Sequence, residues 1–436
     1  MRQLKLDSIL SPNRVKIFIN TSWLILERLF RIGLGFFVTA LVARYLGPKQ
    51  FGLLSYAISI VAIVEPLANL GLNTILKKYF LYNPESRYEI QGSVFALRFA
   101  SSLLFFIVML VIIPFIPEGP PAEVRWVLTV LSVGLLFKIF DLIDLWYESQ
   151  VQSKYTSIIK SSAIVLSSIA KLLFIKFELS LLWFALATIL EGLICTAGYI
   201  WIIGHHGDSV RKWRFHWPLL RNILKEGTPL MIASLAVMIY MKIDQIMLLH
   251  MAGEHEVGLY AAAVKLSEPW GFIAVNIVAS IFPTLVMAKK ASLKDYYNKL
   301  QKLFSFMTLF AIIITLPISY FSSFFISTIF GANYIASAPI LSVHIWANIF
   351  IFWAVAQDPW DIVEKHTKFV LFKTIFAAFL NIGLNLYLIP THGGLGAAWA
   401  TVVSYSSVFF LNSFHKKSRK AFIAEIKSLL FWRYLR

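Results

Sequence analysis

Residues 23–43 read WLILERLFRIGLGFFVTALVA. The stretch is apolar and long enough to cross a bilayer as a helix, which needs ~20 residues. Yet Glu27, Arg28 and Arg31 lie near its middle. An arginine at the centre of a membrane helix costs about 2.5–3.5 kcal/mol on insertion scales, so it turns to a water-filled cavity or a partner rather than to lipid. Helical spacing puts Arg28 and Arg31 on one face and lets Glu27 reach Arg31 four residues on. Gly33 and Gly35 would admit a second backbone. Two readings follow: a Glu27–Arg31 pair that only holds helices together, or a cationic face offered to a ligand.

The rest of the chain has the same character. Of 436 residues, 58% are hydrophobic and the mean hydropathy is +0.72, far above a soluble domain. Long apolar runs between short polar stretches specify helices; barrel strands would alternate every second residue. About twelve such runs lie between positions 17 and 414. The class is therefore an all-α integral membrane protein. The net charge of +17 suggests a nucleic-acid binder, but the cations sit in alternate loops. With the N-terminus inside, inner segments hold about 27 basic residues and outer loops about 4, so both termini are expected in the cytoplasm. The N-terminal residues lack the short apolar region and small-residue cleavage site of a signal peptide. Cys195 stands alone, so no disulfide or CxxC site forms within the chain.

Residues 205–226, HHGDSVRKWRFHWPLLRNILKE, make the longest connection and divide the chain into six-helix lobes over 1–204 and 227–415. Trp213, Phe215 and Trp217 among arginines predict an amphipathic helix on the anionic inner leaflet. The tail, 416–436, is also basic and amphipathic, with Phe431, Trp432 and Tyr434 as interface anchors and a partner-binding role left open. Adjacent loop histidines such as His205 and His206 are ordinarily solvated, and no metal site is expected.

The halves echo each other. Residues 47–57, GPKQFGLLSYA, match 253–263, GEHEVGLYAAA, and Glu65-Pro66 and Glu268-Pro269 follow in each; 394–400, GLGAAWA, is a weaker third copy. Six-helix repeats with proline-interrupted spans in corresponding places point to alternating access, with the site between the halves. The blander reading is that Gly-Leu-small merely packs helices well.

The charged interior narrows the ligand. Lys265 and Glu268 share a face of span eight, whereas Lys242 and Asp244 point to different sides of span seven. Lys138, Asp141, Asp144 and Glu148 make a stripe on span four, and Lys160 and Lys171 lie in span five. Arg98, Glu148, Asp361 and Lys373 are close enough to the inner interface to snorkel. Glu65, Glu191 and Asp244 are too deep for that, and are either salt-bridged or engaged in ion coupling. Arg28, Arg31 and Lys265 on equivalent sides of the halves would form a basic central cavity for an anion, and guanidinium groups suit phosphate oxygens.

The pieces ARYLGPKQFGLLSYA (43–57), EGTPLMIASLAVMIYMKIDQIML (226–248), GEHEVGLYAAAVKLSEPW (253–270) and IPTHGGLGAAWATVVS (389–404) resemble the Wzx-type polysaccharide-biosynthesis flippases of the MATE-like MOP superfamily. The resemblance implies two pseudo-symmetric six-helix lobes in a V. It implies movement of undecaprenyl-pyrophosphate-linked oligosaccharide, such as an O-antigen unit, from the inner to the outer leaflet of the bacterial cytoplasmic membrane. By similarity Arg28 or Arg31, with Lys265, would meet the pyrophosphate. Glu65, Glu191, Asp244 and Glu268 are the candidates for proton or sodium coupling or gating. The expected protein is a monomeric transporter rather than an enzyme, working beside polysaccharide polymerase or assembly proteins. With no Walker motif, neither ATP nor another cofactor is expected. A cation-coupled multidrug exporter of the same fold is the alternative. A membrane polymerase or ligase fits less well, because every outer loop is short.

Overall fold

The computed structural model describes residues 12–115, 122–364, 366–415 and 418–430. Residues 117–121, Lys416 and Lys417, and the tail anchors Phe431, Trp432 and Tyr434 lie outside them. The described residues are almost wholly helical: α1 (Pro12–Asn69), α2 (Asn73–Tyr82), α3 (Arg87–Ile112), α4 (Ala122–Phe137), α5 (Asp141–Ser149), α6 (Ser153–Lys176), α7 (Leu181–His205), α8 (Trp217–Ala252), α9 (Glu254–Ser267), α10 (Trp270–Ala291), α11 (Leu293–Tyr320), α12 (Ser322–Phe330), α13 (Ser337–His344), α14 (Ala347–Val363), α15 (Thr367–Phe414) and α16 (Arg419–Ser428). Ten helical runs among them are long and apolar enough to cross a membrane. Two of the ten fold back at a glycine, Ile19–Tyr82 at Gly47 and Lys368–Phe414 at Gly393, so their arms bring the ten to twelve spans. Large apolar side chains such as Val111 (58% exposed) and Phe379 (71%) face outward. In water each would forfeit about 25 cal/mol per Å² of unburied area; lipid removes that penalty. The chain is a multi-pass membrane protein.

The repeat read from the sequence has a backbone counterpart. Gly47 adopts φ 69°, ψ 171° and Gly253 φ 87°, ψ 173°, a region essentially closed to residues with a Cβ. The Glu-Pro pairs mark helix breaks in both halves. After Glu65-Pro66 α1 stops at Asn69, and Leu70 and Gly71 take positive φ; at Glu268-Pro269 the chain passes from α9 to α10.

The residues pack as two compact units. The first takes the chain up to Tyr45 with Ala57–Met238; the second takes Leu46–Tyr56 with the chain from Ile239 onward. In the first, Leu72, Leu76, Phe80 and Val94 form one apolar cluster, and Leu142, Ile143, Tyr199 and Ile202 another. In the second, the hairpin tip at Gly47 crosses α9 backbone to backbone. A Cβ on Gly52 would lie 2.0 Å from the Glu254 carbonyl oxygen, and one on Gly258 would lie 1.9 Å from that of Pro48.

Two expectations need correction. No amphipathic helix spans 205–226. Val210–Lys212 makes one 3-10 turn, and the helix beginning at Trp217 runs on as α8. The Arg214 N–H donates to the Tyr88 carbonyl at 3.0 Å, and Trp213 packs inward on Phe95; only Phe215 and Trp217 stay exposed. The second correction concerns snorkelling. Arg98, Asp361 and Lys373 are buried, because neighbouring helices supply polar partners that water would otherwise supply. Arg98 Nη2 donates to Asn73 Oδ1 at 2.7 Å, while Lys373 Nζ lies 3.0 Å from Asn412 Oδ1 and 3.6 Å from Asp361 Oδ2. Glu148 accepts from Lys77 at 2.7 Å.

Candidate functional site

The first unit holds a polar cavity of about 520 Å³. Its charged lining comes from five spans: Arg31 and Glu65 on the two arms of α1, Lys138 and Asp144 at the α4–α5 junction, Lys160 on α6 and Glu191 on α7. At the junction Lys138–Phe140 winds as a 3-10 turn, which changes the angular spacing along the span-four stripe and aims its side chains separately. Each then meets a different helix. Lys138 pairs with Glu65, and Asp144 accepts from Lys160 at 3.1 Å. Asp141 also faces the cavity.

Arg31 is at the centre of this network. Its Nε lies 3.3 Å from Glu27 Oε1 and its Nη1 lies 4.0 Å from Glu191 Oε1. Glu27 is buried (6% exposed), and its other oxygen lies 4.0 Å from Lys160. A buried carboxylate without a cation is strongly unfavourable, so Glu27 accounts for part of what Arg31 does. The Arg31 side chain nevertheless remains 43% exposed on the cavity wall. Arg31 therefore both pairs with Glu27 and lines the cavity. Three cations (Arg31, Lys138, Lys160) and four carboxylates (Glu65, Asp141, Asp144, Glu191) line the space, so its surface is zwitterionic. Arg28 is exposed on α1.

The second unit holds a different polar centre, on Asp244 of α8. Asp244 is 3% exposed and no cation pairs with it among the described salt bridges. Neutral donors hold it instead: the Tyr260 hydroxyl at 2.6 Å, Asn385 Nδ2 at 2.5 Å, and Thr401 Oγ1 at 2.8 Å. Asn385 Nδ2 also reaches Asn381 Oδ1 at 3.0 Å. Asn385 Oδ1 and Asn381 Nδ2 then have no hydrogen-bond partner among the described residues. An acceptor oxygen left over beside a buried carboxylate suits a small cation or a proton carrier. Lys242, two residues earlier, points elsewhere as its spacing predicts, and pairs with Glu268 at 3.3 Å. Lys265 occupies an exposed position on α9.

Of the sequence candidates, Arg31, Glu65 and Glu191 are brought to one cavity, and Asp244 is held in its own centre. Sequence reasoning missed Tyr260, Asn385 and Thr401 as partners of Asp244. Asn381 and Asn385, one turn apart in an apolar span, were the available signal.

The chain has the fold of solved membrane transporters of the MOP superfamily. It superposes on the lipid II flippase MurJ in an inward closed conformation, with TM-score 0.70, 16% identity, and 95% of this chain and 92% of that one covered. An inward-facing multidrug resistance MATE family transporter of the MOP superfamily matches with TM-score 0.69 and 16% identity, covering 93% and 96%. An uncharacterized membrane protein of Methanocaldococcus jannaschii is 22% identical over 427 residues, 90% of this chain and 83% of that one. Residues 17–289, more than half of the chain, match the family described as polysaccharide biosynthesis protein, and the chain belongs to that family.

Proposed function

We propose that the protein is a flippase for undecaprenyl-pyrophosphate-linked oligosaccharide, working between the leaflets of the bacterial cytoplasmic membrane by alternating access. Its termini lie in the cytoplasm, and it performs no covalent chemistry. The observation that carries this reading is Arg31: a guanidinium deep in a membrane span, in a chain of a polysaccharide-biosynthesis family, still open to a polar cavity. A guanidinium offers paired hydrogen bonds to a diphosphate, and Arg28 and Lys265, exposed on α1 and α9, are the further candidate phosphate contacts. Carboxylates around the cavity suit the hydroxyls of a glycan head, and the polyprenyl tail stays in lipid. Proton or sodium binding at Asp244 resets the lobes, supported by its neutral donors and the unused Asn385 oxygen. Glu65, Glu191 and Glu268, each ion-paired, act in gating rather than as the primary ion site.

One observation favours a second reading, a cation-coupled multidrug exporter. The cavity lining holds more carboxylates than cations, and this fold also serves a multidrug resistance transporter. The deciding experiment replaces Arg28, Arg31 and Lys265 singly with alanine in a host lacking glycan polymerase. Loss of glycan export in at least one supports the flippase, whereas unchanged export in all three, with drug resistance on overproduction, supports the exporter.

A further inference from the structure

Away from both centres, the second unit contains a pocket of about 700 Å³ where the polar end of α11 meets α16. Four lysines line it, Lys299, Lys302, Lys420 and Lys427, against one carboxylate, Asp295. Lys299 pairs with Asp295 at 2.9 Å, and cations outnumber carboxylates in the lining by four to one. Trp360 also lines it; this indole is 2% exposed, and its N–H has no acceptor among the described residues.

The walls are built rather than incidental. Gln301 Nε2 donates to the Ala424 carbonyl at 3.1 Å, and Thr308 and Ser428 share a hydrogen bond of 2.6 Å. Lys420 Nζ stands 5.1 Å from the Tyr297 ring centroid. Helix α16 has three stripes at helical spacing. Ala421, Glu425 and Ser428 are buried, Lys420 and Lys427 turn to the pocket, and Ile423 and Ile426 are exposed, with Leu430 continuing their line. Lysines set between a buried stripe and an exposed apolar one are what a helix lying at a headgroup layer requires. Past Lys302, α11 turns apolar and runs into the bilayer.

We propose that this pocket binds the headgroup phosphate of an anionic phospholipid, whose acyl chains lie along Ile423, Ile426 and Leu430. The charge balance selects a phosphate-bearing anion, and the adjoining exposed apolar stripe selects a lipid over a soluble one. The site is separate from the transport path and does not depend on which cargo is carried.

The test uses the purified full-length protein in neutral detergent, with bound phosphatidylglycerol and phosphatidylcholine measured by native mass spectrometry. Phosphatidylglycerol should bind in preference to phosphatidylcholine. The Lys299→Gln/Lys302→Gln/Lys420→Gln/Lys427→Gln variant should bind it about tenfold more weakly. A control, Lys290→Gln/Lys294→Gln, should stay close to wild type. Equal loss in the control, no loss in the pocket variant, or displacement of the lipid by inorganic phosphate would overturn the proposal. Should the fourfold variant fail to fold, a photoreactive phosphatidylglycerol on the wild type decides. Cross-links within Leu293–Lys302 or Arg419–Ser428 support the site, and cross-links only elsewhere refute it.

Discussion

Thr401 Oγ1 lies 2.8 Å from Asp244 Oδ2, a contact between residues 157 positions apart, and also 2.9 Å from the Ala397 carbonyl oxygen. A hydroxyl has one proton and can donate to only one of these. With Asp244 ionised, Thr401 donates to it. With Asp244 protonated, the carboxyl donates to Thr401, which turns its own proton to Ala397. Thr401 can therefore serve the carboxyl in either hydrogen-bond arrangement from the same position.

Replacing that carboxyl should therefore uncouple transport. Asp244→Asn keeps the shape but cannot ionise; its amide oxygen can still accept from Asn385 while its NH2 donates to Thr401. Transport in proteoliposomes should fall about tenfold or more and lose its dependence on the imposed ion gradient. Retained gradient dependence would remove Asp244 from the coupling role.

Arg31→Ala should lower stability as well as transport, because buried Glu27 loses its nearer cation and keeps only Lys160 at 4.0 Å. Arg31 is partly solvated, so the expected cost is about 1–2 kcal/mol, a fall of a few degrees in thermal midpoint. Adding Glu27→Gln should restore most of the midpoint without restoring transport. Recovery of both would make Arg31 a purely structural residue.

Two glycines should respond oppositely to alanine. Gly258→Ala places a methyl 1.9 Å from the Pro48 carbonyl oxygen, and helix must move from helix; a loss of about 1–3 kcal/mol is expected. Gly134→Ala meets nothing within 4 Å and should be neutral or gain up to about 1 kcal/mol from helix propensity. Thermal melting in detergent separates them.

Burial pushes the Glu425 carboxyl up to about 8, against the opposing pull of Lys373 and the Asn412 amide, with Asp361 adding to the rise. A raised carboxyl pKa means that the folded state favours the protonated form. Its stabilisation is complete below the unfolded value and is lost as pH rises through about 8. The melting temperature of wild type should therefore fall between pH 6 and 9 relative to Glu425→Gln, which stays neutral. Parallel profiles would place the charge in solvent.

The spans, the turn at Gly47 and its copy at Gly253 were legible because they depend on local chemistry: apolar runs and a backbone conformation only glycine adopts. The Glu27–Arg31 contact was legible for the same reason, being one turn of a helix. The Asp244 cluster was not, since Tyr260, Asn385 and Thr401 come from three other helices and no spacing rule connects them. Trp213 misled for a similar reason. An indole among arginines reads as an interface anchor until Phe95 and the cluster around Leu142 and Tyr199 offer it a dry place. Arg98 and Lys373 were misplaced because burial of a cation is decided by partners, here Asn73 and Asn412, that lie far along the chain.

The passage of Leu46–Tyr56 into the second unit, while its flanking residues stay with the first, has a practical result. A protein nicked between His205 and Glu226 would not yield two finished bodies. The amino-terminal fragment would carry off a piece that completes the other, so the fragments should mature only when made together.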